Sequence, residues 1–351
     1  MLERTIRVLV VDDSLLVRQT LQRLLELDQE IKVIATAGDA YEARDLIVKL
    51  APDVITLDIE MPKMNGIDFL KRLIPQYPIP VVVCSSMPDR TFDALEAGAI
   101  DFVKKPVFSS VDDMKKFGIQ LIKIVKQATN AKVIKAGKYM FPVKERKINQ
   151  PNEINNIDKK DDSIIVIGGS TGATEALPVI FSQFNQNTPP CVVVIHMPEG
   201  FTKLYAERLS RYFPKLRVIE AEAGMYLKKG MISIAPGGKH IRVFKDSKGY
   251  FLSCFKSSVR LSAHCPSVDV MFESAAVSVG EKVIGVILTG MGADGAKGLL
   301  QIRKMGGYTI GQNEESCVVY GMPKMAYDMG AVCHQTSLED ISDAIFTKLK
   351  E

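Results

Sequence analysis

Short apolar runs punctuate this chain at regular intervals, each followed by a longer stretch whose apolar positions fall three or four residues apart. Between Ile6 and about Val125 the short runs are RVLVV, KVIATA, DVITLD, PVVVCSS and DFVKK. Runs this apolar predict strands buried on both faces, and stretches such as SLLVRQTLQRLLELD carry the spacing of an amphipathic helix. Strand and helix in alternation predict a parallel sheet with helices on both sides. The text then changes: KYMFPVKERKINQPNEINNIDKKDD is rich in Lys, Asn and charge and has no period, which predicts a linker. Alternation resumes with the strands SIIVIGG, CVVVIH, RVIEA, MISIAP, KVIGVILTG and YTIGQ. Helices are predicted near TEALPVIFSQF, TKLYAERLSRYF, SVDVMFESAAVS and DGAKGLLQIRKM. The expected fold class is α/β, with two doubly wound parallel-sheet domains over 1–128 and 163–351 and a linker over 129–162.

Composition alters this picture little. The 351 residues are 46% hydrophobic and 25% charged, as in an ordinary globular protein. A net charge of +4 is too small to argue by itself for nucleic acid or a membrane surface. No apolar run approaches a membrane span, and MLERTIRVLVVDD carries no signal peptide, so a cytoplasmic location without membrane insertion is expected. The six cysteines are scattered without a CxxC pair, and several sit inside apolar runs. They predict small hydrophobes, with no disulfide framework and no zinc site.

In the first block Asp12 and Asp13 close the first run and Asp58 the third. Strand C-termini of a doubly wound sheet converge on one edge. Three carboxylates gathered there repel one another unless a cation sits among them, and an all-oxygen set suits Mg²⁺. Ser85 closes the fourth run and Lys105 the fifth, a hydroxyl and an ammonium able to hold phosphoryl oxygens on Asp58. The plain alternative is that each acid only caps the next helix. VVDDS, DVITLDIEMPKMNGIDFL, VVVCSS and FVKKP together resemble the receiver domain of two-component response regulators, a flavodoxin-like fold, over about residues 5–127. The resemblance implies that Asp58 accepts a phosphoryl group from a histidine kinase, with Asp12, Asp13 and Asp58 binding Mg²⁺. It makes Ser85 the switch hydroxyl, Lys105 the phosphate partner and Phe102 the switch aromatic. Only SMPDRTFDALEAGAID separates Ser85 from Phe102, so a short fourth helix is expected.

The second block opens on IIVIGGSTGAT, a strand, a glycine-rich turn and a helix start. No lysine follows to make a phosphate loop, and Ser170 occupies the place of the second glycine of a dinucleotide fingerprint. GxSxG does fit, at Gly168 to Gly172, and it would present the Ser170 hydroxyl at the mouth of the sheet. A serine there can also be a simple N-cap. A nucleophile needs a base. His240 and His264 fall in predicted turns or loops and His334 follows GAVCH, whereas His196 directly closes CVVVIH. An acid on the same edge would complete the set, and Asp294 follows KVIGVILTGMGA. Chain order Ser–His–Asp differs from that of the α/β-hydrolases.

IGGSTGATEAL, IHMPEGFT, IAPGGKH, HCPSVDVMFESAA, VILTGMGADGAKGL and QNEESCVVYGMP are similar to the catalytic domain of chemotaxis protein-glutamate methylesterases, a Rossmann-like serine esterase fold. The resemblance places the family's triad on Ser170, His196 and Asp294. It also implies Met291 as an oxyanion donor, with Thr171 beside the nucleophile. It implies hydrolysis of glutamate methyl esters on methyl-accepting chemoreceptors in sensory adaptation, with glutamine deamidation as a second activity. Mg²⁺ would serve phosphorylation, and ester hydrolysis would need no cofactor. It further implies that the receiver restrains the esterase until Asp58 is phosphorylated. Two departures stand out. The family commonly has alanine before the serine and a second glycine after TG, where this chain has Gly169 and Ala173. The family often has arginines around the histidine before PSVDV, where this chain has Ala263 and Cys265. Two other readings are a regulator whose second domain binds DNA and a nucleotide-dependent enzyme. No basic recognition helix supports the first, and Ser170 opposes the second.

Overall fold

The computed structural model describes residues 5–106, 111–133, 162–256 and 264–351. The chain divides into two compact units, Met1–Met140 and Phe141–Glu351. Most of the linker expected over 129–162 lies outside the described residues.

In the first unit the strands β1 (Ile6–Val11), β2 (Ile31–Ala37), β3 (Val54–Leu57), β4 (Val81–Ser85) and β5 (Asp101–Lys104) pair in parallel. Their order is β2–β1–β3–β4–β5, the flavodoxin-like winding, whose switch point falls between β1 and β3. The helices are α1 (Leu15–Leu25), α2 (Ala40–Leu50), α3 (Gly66–Leu73), α4 (Pro88–Glu96) and α5 (Val111–Ala128). Each of the first three begins at a polar residue that accepts an otherwise unpaired N–H: Ser14, Asp39 and Asn65. Val8 and Val10 of β1 and Val82 and Cys84 of β4 pack with Leu21, Leu25, Phe117 and Leu121 in one buried cluster. Burial pushes the Cys84 thiol up to about 12, so it serves there as a small hydrophobe.

The second unit is built on a seven-stranded sheet in the order β14–β13–β12–β6–β7–β9–β8, parallel throughout. Its strands are β6 (Ile164–Gly169), β7 (Cys191–Ile195), β8 (Arg217–Glu220), β9 (Met231–Ile234), β12 (Val283–Ile287), β13 (Tyr308–Gln312) and β14 (His334–Thr336). The helices are α6 (Ala173–Phe181), α7 (Phe201–Tyr212), α8 (Val268–Val279), α9 (Ala296–Lys304), α10 (Met322–Asp328) and α11 (Ile341–Lys350). The chain runs outward from β6 through β7 on one side, then returns to add β12 on the other. The switch point, where such sheets bind ligands, therefore lies between β6 and β12.

An antiparallel hairpin, β10 (His240–Asp246) and β11 (Gly249–Phe255), stands apart from this sheet. Its Ile241, Val243 and Leu252 join the core cluster that holds Met271 and Ala275 of α8. Val243 is held at both ends, its N–H donating to Ser274 Oγ at 3.0 Å and its carbonyl accepting from Ser278 Oγ at 2.9 Å. His240 is thus the first residue of a strand rather than part of a turn. The alternation in HIRVFKD and GYFLSCF is the half-buried strand pattern that reveals it.

Candidate active site

Ser170 and His196 are the first residues beyond two paired strands, β6 and β7. The His196 N–H reaches the Gly169 carbonyl at 3.4 Å, so both side chains leave from one point on the sheet edge. On the other flank Leu288 N–H donates to Gly168 O at 2.8 Å and Ser170 N–H to Thr289 O at 3.0 Å. These bonds bind the serine turn to the turn after β12. Gly172, with φ +83°, then bends the chain into α6; a side chain there would be strained and would strike Val318.

Asp294 stands at the end of the β12 turn, and its carboxylate is buried and fully engaged. Oδ2 lies 2.7 Å from His196 Nε2 and accepts the Val268 N–H at 2.8 Å. Oδ1 accepts Ser267 Oγ–H at 2.7 Å and the Asp269 N–H at 3.1 Å. Two of these donors are the first N–H groups of α8, so the acid sits on the positive end of a helix. Burial alone would raise its pKa. His196, Ser267 and Val268 outweigh that and hold the carboxyl well below the usual range. An ionised acid at Nε2 keeps the imidazole proton there, which leaves the Nδ1 lone pair as the basic site of His196.

Among the other histidines, His264 is drawn in: its ring lies on that of His196, centroids 3.9 Å apart and planes within 15°. His240 is buried near Asp294; burial lowers its pKa, and its Nδ1 has no hydrogen-bond partner among the described residues. His334 opens β14 at the far edge of the sheet. The ligand atoms of His196, His264 and Asp294 lie within 4.8 Å of one another. A metal fits them poorly in this arrangement. The carboxylate is committed to four donors, and near-parallel stacked rings cannot both aim in-plane lone pairs at one ion.

Thr171, beside the serine, is buried. Met291 lies in the turn between β12 and Asp294, and its N–H donates no hydrogen bond among the described residues. Of the two positions where the family often has arginines, Cys265 is exposed and Ala263 lies outside the described residues.

In the first unit Asp12, Asp58 and Lys105 meet just past β1, β3 and β5. Lys105 Nζ bridges Asp12 Oδ2 at 2.6 Å and Asp58 Oδ2 at 2.9 Å. Asp58 is pushed up by burial, which outweighs the attraction of Lys105, so the site favours further positive charge. Asp13 is exposed, yet its carboxylate falls with those of Asp12 and Asp58 inside one 4.8 Å cluster. That all-oxygen set fits a hard divalent cation. Gly66 closes the loop behind the site: a Cβ there would strike the Asp58 carbonyl. Ser85 is buried and its Oγ accepts the Met87 N–H at 3.0 Å. Phe102, also buried, meets Phe92 edge-on at 6.4 Å.

Residues 165–345 match the CheB methylesterase family and residues 8–116 the response regulator receiver domain. The chain is 46% identical over 350 residues to a protein-glutamate methylesterase/protein-glutamine glutaminase of Syntrophomonas wolfei, covering 99% of both. The chain belongs to the CheB methylesterase family. A CheB relative from Sulfurimonas denitrificans with the same two-activity name is 45% identical over 353 residues, again 99% of each. The crystal structure of the Thermotoga maritima CheB methylesterase catalytic domain aligns with a TM-score of 0.51 and 38% identity. It covers 53% of this chain and 98% of that domain.

Two participants escaped the sequence. Ser267 lies in HCPSVDV, where a serine before an apolar run reads only as a helix cap. The stacking of His264 on His196 joins residues far apart in the chain, and no local pattern reports it.

Proposed function

We propose that this chain is a receiver-regulated serine hydrolase that cleaves glutamate methyl esters on chemoreceptors, with Ser170 as nucleophile, His196 as base and Asp294 as its orienting acid. The observation that carries this reading is the His196–Asp294 contact of 2.7 Å at the strand edge from which Ser170 also projects. Ser170 Oγ attacks the side-chain carbonyl carbon while His196 Nδ1 takes its proton. Asp294 steadies the imidazolium, and the Met291 N–H faces the developing oxyanion, with Thr171 closing the turn. His196 then returns the proton to the leaving methoxide, releasing methanol. Water, deprotonated by the same nitrogen, attacks the acyl-enzyme and frees the glutamate carboxylate and Ser170. A glutamine amide offers the same carbonyl with ammonia as leaving group, which accounts for glutaminase activity.

Asp58 is the phosphoryl acceptor: its carboxylate oxygen bonds phosphorus as the P–N bond of a kinase phosphohistidine breaks. Asp12, Asp13 and Asp58 would hold Mg²⁺, which when bound neutralises the phosphoryl oxygens. Lys105 pairs with the phosphoryl group, and Ser85 and Phe102 respond to it, raising hydrolase activity in the second domain. The domain limits are 1–128 and 163–351, joined by 129–162. The test is methanol release from methylated receptor membranes, with and without a phosphodonor. Ser170→Ala is expected to lose about 10⁴-fold or more in rate while staying folded. A variant retaining a tenth of the wild-type rate refutes the nucleophile.

A further inference from the structure

The turn that carries Met291 is held by a buried polar network that the triad does not account for. Thr289, directly after the last core residue of that segment, is buried and has every polar atom engaged. Its N–H donates to Gln312 Oε1 at 2.8 Å and its carbonyl accepts the Ser170 N–H at 3.0 Å. Its hydroxyl donates to Thr171 O at 3.0 Å, lies 3.3 Å from Val319 O, and accepts the Val319 N–H at 2.9 Å. One side chain thus ties together the serine turn, the Met291 turn and the bend around Val319.

Gln312, at the end of β13, is equally buried. Its amide orientation is fixed by its neighbours: the Thr289 N–H needs an acceptor, while the Ser316 carbonyl, 2.8 Å from Nε2, needs a donor. Ser316 Oγ extends the network to Asn313 Oδ1 at 2.7 Å and to the Leu338 N–H at 2.9 Å. Gly290 is pinned as well. Its N–H donates to Val319 O at 3.0 Å, and its carbonyl accepts from Gly321 N–H at 3.1 Å and Met322 N–H at 2.7 Å. Both residues before Met291 therefore have their main-chain groups committed. The Met291 N–H is the first in the turn left to face a reacting group.

We propose that Thr289 and Gln312 are positioning residues, fixing the spacing between the Ser170 hydroxyl and the Met291 N–H through the Thr289–Thr171 and Gln312–Thr289 hydrogen bonds. This deepens the serine-hydrolase reading and rests on it. An oxyanion donor acts only where charge develops, so small displacements of the turn lower the turnover step and leave substrate docking intact. Neither residue touches the His196–Asp294 pair by any bond described above, so the protonation behaviour of the base stays as it is.

Thr289→Val removes the hydroxyl at constant shape, Gln312→Met removes the amide, and Thr289→Ser and Gln312→Asn keep the polar groups. Active sites are counted in each purified full-length variant by exhaustive labelling with a fluorophosphonate. The kcat, KM and pH profile are then measured per labelled site on methylated receptor membranes. Thr289→Val and Gln312→Met are expected to lose about ten- to a hundredfold in per-site kcat. KM is expected to stay within about twofold and the pH midpoint of kcat to remain in place. Thr289→Ser is expected to recover most of the loss. If Thr289→Val does not fold, the comparison of Gln312→Met with Gln312→Asn decides. Wild-type per-site kcat in the variants that remove the polar groups, or a shifted pH midpoint, overturns the proposal. Ser170→Ala run in parallel separates the two readings. If it stays active, the serine-hydrolase reading fails; if it is inactive while per-site kcat is unchanged in the network variants, only the positioning role fails.

Discussion

A Cβ built on Gly169 would stand 2.7 Å from the Cβ of Ala173, closer than two side chains can approach. The two departures from the family pattern before and after the nucleophile therefore belong together. Where relatives commonly carry alanine then glycine, this chain carries glycine then alanine, moving one methyl group across a shared gap. Gly169→Ala alone is expected to destabilise the catalytic domain by about 1–3 kcal/mol through overpacking. Adding Ala173→Gly should recover most of that, less about 0.5–1 kcal/mol for glycine at the start of α6. Thermal unfolding of the two singles and the double measures the coupling. Additive losses would show that the two positions do not share the space.

Ser267 supports Asp294 and α8 at once. Ser267→Ala removes the 2.7 Å donor from Asp294 Oδ1 and the side-chain cap of the helix. The expected result is a fall in kcat of about tenfold and a loss of about 1–2 kcal/mol in unfolding free energy. Steady-state kinetics and urea titration on the same preparation check both.

Two acids, buried Asp294 and half-buried Asp269, give the catalytic domain opposing pH responses. The folded pKa of Asp294 is depressed, so its contribution to stability is present above the unfolded value of about 3.9 and fades as pH falls below it. Asp269 is raised to about 6 by burial, despite the Gly298 N–H donating to Oδ1 at 2.8 Å. Folding therefore opposes its ionisation, at a cost to stability that builds between the unfolded value of about 3.9 and about 6 and is constant above that. Asp269→Asn keeps the acceptor for Gly298 and removes that charge. It should stabilise the protein by about 1–2 kcal/mol more at pH 8 than at pH 4.5. Calorimetry at the two values tests the sign, and equal shifts would refute it.

Asp58 should be the phosphorylated residue. Asp58→Asn is expected to abolish Mg²⁺-dependent labelling by acetyl phosphate, while Asp13→Asn, which keeps the acceptor and removes one negative charge from the proposed metal site, should weaken it by raising the Mg²⁺ concentration required. Labelling of the Asp58 variant at the wild-type level would reassign the site.

A fragment beginning at Asp162 should fold, because its core cluster is drawn wholly from the second unit. It is expected to hydrolyse receptor methyl esters without a phosphodonor, and faster than the unphosphorylated whole chain. A tenfold difference corresponds to about 1.4 kcal/mol of regulatory free energy. A well-folded fragment no faster than the intact chain would mean that the receiver does not restrain the catalytic domain.

By itself the sequence determined the strand ends. IIVIGGS, CVVVIH and the run before Asp294 are so uniformly apolar that strands must lie there, and parallel strands deliver the residues that follow them to one edge. That is why Ser170, His196 and Asp294, and likewise Asp12, Asp58 and Lys105, stand out in the sequence as residues that share a sheet edge. Only the tertiary structure decided which atoms meet. That Nε2 of His196 faces Asp294, that Ser267 and the start of α8 hold the same carboxylate, and that His264 lies on His196 are contacts across tens of residues. Thr289 and Gln312 belong with them, since a threonine after a strand and a glutamine ending one look like any others until the sheet order sets β13 beside β12. Hydrophobic period records how much of each residue is buried. Hydrogen-bond partners depend on which distant segments the sheet brings together, and that is fixed only when the whole core closes.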